Sequence, residues 1–146
     1  MVAWSTPATE RTGEQNELAK LSDDIVADVQ NADEIVLAIP MYNFGIPSVL
    51  KAWFDRLARA GVTFKYTETG PQGLLTDKSI KVMAARGGKY VGTALDTQAT
   101  YVSNFLNFLG LTDISFVYAE GLAMGEEQAK VSWEEADKKI AELFGQ

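Results

Sequence analysis

Residues 35–40, Ile35-Val36-Leu37-Ala38-Ile39-Pro40, are a five-residue apolar run closed by a proline. No polar residue alternates within the run, which is how a strand buried on both faces reads, and such strands belong to parallel sheets covered by helices. Proline cannot donate to a strand ladder and marks where the strand stops. Upstream, Leu18, Leu21, Ile25 and Val29 recur at helical spacing as far as Asn31-Ala32-Asp33. Downstream, Pro47 suits a first helical turn, Val49, Leu50, Trp53, Phe54 and Leu57 share one face, and Gly61 is placed to end the helix.

The same alternation continues to the end of the chain. Ser79 to Ala85 reads as a second buried strand, followed by Gly87-Gly88, and Tyr101, Val102, Phe105, Leu106 and Leu109 make a helix closed by Gly110. Ile114 to Ala119 is a third strand, and a last helix from about Glu126 turns Ala129, Trp133, Ala136, Ile140 and Leu143 inward. Helices alternating with strands in this way predict an α/β three-layer sandwich with a parallel sheet, in one domain spanning residues 1–146. Between helix and strand, Val62, Phe64 and Tyr66 alternate with Thr63, Lys65 and Thr67, predicting an extended arm with its apolar side chains on one side. Residues 67–73 read as turn chemistry.

Composition narrows the chemistry. The 146 residues are 47% hydrophobic and 23% charged, which excludes a disordered chain. Cys and His are both absent, so disulfides, thiol nucleophiles, the usual zinc sites and imidazole-based triads are excluded, and redox or group-transfer chemistry requires a cofactor. A net charge of −7 repels nucleic-acid backbones and anionic membranes. The start of the chain lacks a basic opening and an apolar stretch, and no run approaches the length of a membrane helix, so a cytoplasmic location is expected. The acidic pairs Asp23-Asp24, Glu126-Glu127 and Glu134-Glu135 fall on polar helix faces or ends and read as solvated rather than catalytic. Ser132 and Glu135 have capping-box spacing but lie inside the last helix.

In parallel sheets, ligands sit beyond the carboxyl ends of the strands, which directs attention to three loops. The first, Pro40 to Pro47, carries Met41, Tyr42, Asn43 and Phe44 between a strand and a helix, where outward-pointing N–H groups favour an electron-rich ligand such as a flat heteroaromatic ring. Tyr42 and Phe44 equally fit a role as plugs for the top of the sheet. In the second loop, Gly87 and Gly88 let backbone approach a ligand while Arg86 and Lys89 add positive charge that would stabilise a reduced, anionic ring. A glycine turn with solvated basic residues is the simpler reading of that loop taken alone. The third loop is Gly121 to Gly125.

These residues resemble the flavodoxin-like, FMN-dependent NAD(P)H azoreductases and quinone reductases. The resemblance lies in Met41 to Phe44, in the arm from Arg59 to Glu68, in Arg86-Gly87-Gly88, in Phe105 to Thr112 and in Tyr118 to Gly121, and extends from about Leu18 to the end. It implies that Met41, Tyr42, Asn43 and Phe44 hold the isoalloxazine ring of FMN, that Arg86, Gly87 and Gly88 lie against its pyrimidine side, and that Tyr66, Phe108 and Tyr90 belong to the substrate pocket. It further implies a homodimer in which Tyr66 comes from the other subunit, and ping-pong transfer of two electrons from NADH or NADPH to quinones or azo compounds, with no side chain acting as acid or base. Tyr90 and Ala85 stand where close members often have His and Ser.

Members of that family begin with a strand, a Ser-rich phosphate-binding loop, a helix and a second strand, all upstream of the region matched here. Against that pattern the chain reads as N-terminally truncated. Val2-Ala3-Trp4 is too short for the missing strand, and Ser5, Thr6, Thr9 and Thr12 read as loop and cap residues. Two consequences are expected: the Ile35 to Ile39 strand becomes an open edge that seeks a partner chain, and FMN is held weakly or lost. The competing reading is a non-catalytic flavodoxin-like remnant or interaction domain that binds FMN weakly or not at all. A hydrolase finds no nucleophile paired with a base.

Overall fold

The computed structural model describes residues 3–145. The expectation for Val2 lies outside them; Ala3–Ser5 is a short 3-10 turn, not a strand. A helix α1 (Gly13–Asn31) begins at a capping box, in which Thr12 Oγ1 accepts from the Gln15 N–H at 3.2 Å and Gln15 Oε1 accepts from the Thr12 N–H at 2.9 Å. The chain continues through β1 (Glu34–Pro40), α2 (Ser48–Leu57), β2 (Phe64–Thr67), β3 (Gly70–Gly73), β4 (Ser79–Ala85), α3 (Thr97–Phe108), β5 (Asp113–Ala119) and α4 (Glu126–Phe144).

β1, β4 and β5 form a parallel sheet in the order β1-β4-β5, with Glu34 to Pro40 in register with Ser79 to Ala85, and these in turn with Asp113 to Ala119. Both connections carry a helix, as parallel pairing requires. Strand alternation sends Leu37, Ile39, Ile80, Val82 and Ala84 into the main core, where they meet Val26 and Val29 of α1, Phe54 and Leu57 of α2, and Val102 and Leu106 of α3. On the opposite face Val117 and Ala119 pack against Ala136 of α4, with Met83 and Ile140 at the margin.

Several sequence expectations need correction. The apolar run of β1 is not buried on both faces. Val36 is 53% exposed and Ala38 is also exposed, because β1 is an edge strand paired with β4 alone among the described residues and α4 lies over β5. An apolar groove of about 280 Å³ therefore runs between α4 and the outer half of this face, lined by Ala38, Met83, Ala85, Val117, Trp133 and Ile140 among others. Trp133 stands exposed on its rim rather than in the core. On α1 the inward stripe is Ala19, Ser22, Val26 and Val29, with Leu18 and Leu21 exposed. Small residues here allow close approach to α2, and Ser22 Oγ donates to the Arg56 carbonyl at 2.7 Å. Val49, grouped with Phe54 and Leu57 on one helix face, and Tyr101, grouped with Val102 and Leu106, are exposed, and α2 ends at Leu57, before Gly61.

The alternating arm is the first strand of an antiparallel hairpin whose second strand, Gly70–Gly73, lies in the stretch read as turn. A strand of sequence Gly-Pro-Gln-Gly has no apolar alternation to reveal it. Phe64 alone turns into the core; Tyr66 is 74% exposed and Val62 is also exposed. Gly73 sits hard against the end of α3, where a Cβ would lie 2.0 Å from the Gly110 nitrogen.

Candidate functional site

The loops after β1 and β4 meet at the carboxyl ends of their strands, joined by a bond from the Met41 N–H to the Ala85 carbonyl at 3.0 Å. Tyr42 and Gly45 exchange two backbone hydrogen bonds, Tyr42 N–H to Gly45 O at 3.1 Å and Gly45 N–H to Tyr42 O at 2.9 Å. Asn43 and Phe44 between them both have positive φ, 48° and 66°. This is a type I′ turn. Asn tolerates the left-handed region; Phe does so at a cost of about 1–2 kcal/mol. The strained turn also leaves the N–H groups of Asn43 and Phe44 without an acceptor among the described residues.

Opposite the turn, the Gly87 and Gly88 N–H groups likewise have no acceptor among the described residues, while their carbonyls accept from Ala123 at 3.0 Å and Gly121 at 2.9 Å. The space beside Gly88 is taken by the Tyr90 side chain: a Cβ there would lie 2.7 Å from its hydroxyl oxygen. Met41, Asn43, Phe44, Gly87, Gly88 and Tyr90 together line a cleft of about 260 Å³. Tyr42 is 61% exposed beside it. Four unpaired backbone donors beside aromatic side chains make a cradle suited to a flat, electron-rich molecule. The structure therefore brings together Met41, Asn43, Phe44, Gly87, Gly88 and Tyr90, drawn from both predicted loops.

Arg86 is placed differently from expectation. It is 1% exposed and presents no charge to the cleft. Nη1 and Nη2 donate to the two Asp96 carboxylate oxygens at 3.0 and 2.9 Å, Nη1 also donates to Glu120 Oε1 at 3.1 Å, and Nε donates to Gln98 Oε1 at 3.2 Å. The guanidinium carbon lies 4.7 Å from the Tyr118 ring centroid. One buried cation held by two carboxylates is an organising centre, because breaking it strands the charges that remain. Lys89 is also engaged, its Nζ donating to Gln128 Oε1 at 2.8 Å. Burial is the leading cause of a Tyr118 phenol pKa above its ordinary value, with Asp96 and Glu120 adding to it and Arg86 opposing.

The partners of Arg86 were not singled out by sequence. Glu120 Oε1 accepts the N–H groups of Tyr90 and Val91 at 2.8 and 3.1 Å, fixing the second loop. Asp96 caps α3 by accepting the Ala99 N–H at 3.1 Å. Ser132 is buried, its Oγ donating to the Glu120 carbonyl at 2.5 Å; its chemistry is a brace from α4 rather than a cap. Glu120 falls within the Tyr118 to Gly121 resemblance, but nothing in its spacing marks it as the acceptor for loop amides 30 residues away.

Tyr66 and Phe108 do not reach the cleft within one chain. α3 starts beside it at Thr97 and descends about 17 Å to Phe108. There Phe108 lies 4.5 Å from the Phe64 ring and Tyr66 packs edge-on against Phe64 at 5.5 Å. Both stand at the opposite end of the sheet.

Comparison with known proteins agrees with this architecture. Residues 2–144 match the family described as having a flavodoxin-like fold, and the chain belongs to that family. It is 64% identical over 143 residues to an FMN-dependent NADH:quinone oxidoreductase of Alteromonas mediterranea, covering 98% of this chain and 72% of that protein. It is 62% identical over 125 residues to one from Cellvibrio japonicus, covering 86% and 63%. Among solved structures it superposes on the azoreductase AzrA with a TM-score of 0.87 at 30% identity, covering 97% of this chain and 71% of that one. An FMN-dependent NADH-azoreductase of Bacillus anthracis in complex with FMN gives 0.83 at 30% identity with the same coverage. The chain thus spans roughly two thirds to seven tenths of the length of these relatives. Among the described residues no helix is long and apolar enough to cross a membrane.

Proposed function

We propose that this chain carries the ring-binding cleft of an FMN-dependent NADH:quinone oxidoreductase that also accepts azo compounds. The observation that carries the reading is that Asn43, Phe44, Gly87 and Gly88, whose backbone N–H groups have no acceptor among the described residues, line one cleft between two strand ends. The residues present fit the ring of FMN: isoalloxazine is planar, rich in acceptor atoms along its pyrimidine side, and able to lie against Met41, Phe44 and Tyr90. Relatives at 64% and 62% identity carry the FMN-dependent NADH:quinone oxidoreductase name.

Bound FMN would supply two-electron transfer, which a chain lacking Cys and His cannot perform alone. The chain's own contribution is binding and orientation. Met41, Asn43 and Phe44 would hold one side of the ring, with Tyr42 flanking it, and Gly87 and Gly88 the pyrimidine side. Arg86 would act from beneath by fixing the loops. Tyr90 would border the acceptor. Donor and acceptor would use the same open face in turn.

The reading includes a homodimer. Tyr66 and Phe108 stand at the far end of the sheet from the cleft, so they would border an acceptor only in a partner's site, and the exposed hairpin bearing Tyr66 is shaped to reach one. A cytoplasmic setting suits the reducing equivalents it would consume. The test is quinone-dependent NADH oxidation by the purified chain with added FMN: turnover that saturates with FMN supports the assignment, and turnover no faster than free FMN at saturating flavin refutes it.

A further inference from the structure

Gln98 carries no motif, yet its side chain is fully buried and ties together the two loops of the cleft. It sits in the first turn of α3. Its Nε2 donates to the Pro40 carbonyl at 2.8 Å and to the Gly45 carbonyl at 3.0 Å, and its Oε1 accepts from Arg86 Nε at 3.2 Å. A carboxamide has two N–H donors, and both are spent on the two ends of the segment containing the type I′ turn. The neighbouring Thr97 adds a third bond, Oγ1 to the Phe44 carbonyl at 2.7 Å. The carbonyls of Pro40, Phe44 and Gly45 are thus all held by one turn of α3, and that turn is anchored through Asp96 and Gln98 to the guanidinium on which the second loop rests.

A strained residue persists only where its surroundings over-determine it. Phe44 is such a residue, and the bonds to its own carbonyl and to the next one supply that determination. The carbonyls are drawn toward α3, and the N–H groups of Asn43 and Phe44 have no acceptor among the described residues. We propose that Gln98 and Thr97 are positioning residues for the flavin ring: they hold the turn in its left-handed form and set its distance from Gly87-Gly88 without touching the ligand. The identity of the ligand rests on the function proposed above; the geometry does not.

The test uses the full chain with three substitutions. Gln98→Met keeps length and neutrality but loses every bond, Gln98→Glu keeps an acceptor for Arg86 while losing both donors, and Thr97→Val alters an exposed site that folding tolerates. FMN dissociation constants are measured by fluorescence, and amide exchange of residues 41–45 is measured on flavin-free protein. Each hydrogen bond lost is expected to weaken FMN binding about three- to tenfold, with Thr97→Val at the low end and both Gln98 variants larger. Exchange at Tyr42 and Gly45 is expected to quicken by a similar factor while β4 amides are unchanged. Lowered thermal midpoints with FMN affinity and turn exchange within twofold of the parent would overturn the proposal, since that is the signature of a merely structural amide. Thr97→Val decides the matter by itself should neither Gln98 variant fold. If the parent binds no FMN, the functional reading fails, while exchange still decides whether these residues hold the turn.

Discussion

Phe44 and Tyr90 meet across the cleft edge to face, their ring centroids 5.6 Å apart and their planes at 79°. The contact joins a residue in left-handed conformation on the first loop to one held by Glu120 on the second. Replacing Phe44 by glycine removes a left-handed penalty of about 1–2 kcal/mol and an edge contact worth about 0.5–1.5 kcal/mol. The two nearly offset, so urea unfolding of Phe44→Gly should match the parent to within about 1 kcal/mol while FMN affinity falls about tenfold or more. A large loss of stability would show that Phe44 is a structural plug.

The glycines separate by role. At Gly88 an added Cβ would press on the end of the Tyr90 side chain, which can swing away. Gly88→Ala should unfold at nearly the parent urea concentration but lose flavin quenching. At Gly73 the obstacle is the Gly110 backbone, 2.0 Å away. Gly73→Ala should therefore cost about 3 kcal/mol or more, with the hairpin displaced. Equal urea midpoints for the two variants would contradict this division.

Arg86 is assigned to organisation rather than to charge at the ring. Arg86→Met leaves Asp96 and Glu120 part-buried without their cation and should destabilise the chain by about 3–5 kcal/mol. Arg86→Lys, which cannot span Asp96, Glu120 and Gln98 from one planar fork, should recover only part of this. Urea denaturation checks both; an Arg86→Met variant as stable as the parent would remove the guanidinium from the centre of the site.

Tyr118 gives a pH signature. Burial, reinforced by Asp96 and Glu120, raises its phenol pKa in the folded protein. A raised folded value means the unfolded chain ionises first, so its contribution to stability is complete below the ordinary tyrosine value of about 10 and is lost as pH climbs through the folded value. Stability should therefore decline more steeply above about pH 10 in the parent than in Tyr118→Phe. Thermal unfolding across that range, with phenolate absorbance as the titration readout, checks the sign.

Strand positions were legible because parallel strands carry long apolar runs and helices carry a 3.6-residue repeat. The two loops stood out because aromatics and glycines at strand ends are chemically conspicuous. What sequence hid was set by approach between elements. Val36 reads like Leu37, and only the placement of α4 over β5 leaves it in solvent. Leu18 reads as core until the small residues Ala19 and Ser22 bring α1 against α2. The supporting network was invisible for the same reason: Gln98, Asp96, Glu120 and Ser132 are ordinary polar residues until folding carries them to a buried guanidinium and to loop carbonyls and amides. Arg86 is conspicuous beside two glycines, but its sequence does not reveal that its charge is spent inside the protein, because its partners lie 10 to 34 residues away.

On the function proposed here, main-chain donors of two adjacent strand ends grip a flavin ring. The decisive measurement is a titration of the purified chain into FMN followed by flavin fluorescence. Saturable quenching at one flavin per chain, abolished by Gly88→Ala, is expected; flavin fluorescence that stays unchanged at excess protein would show that the cleft holds no flavin.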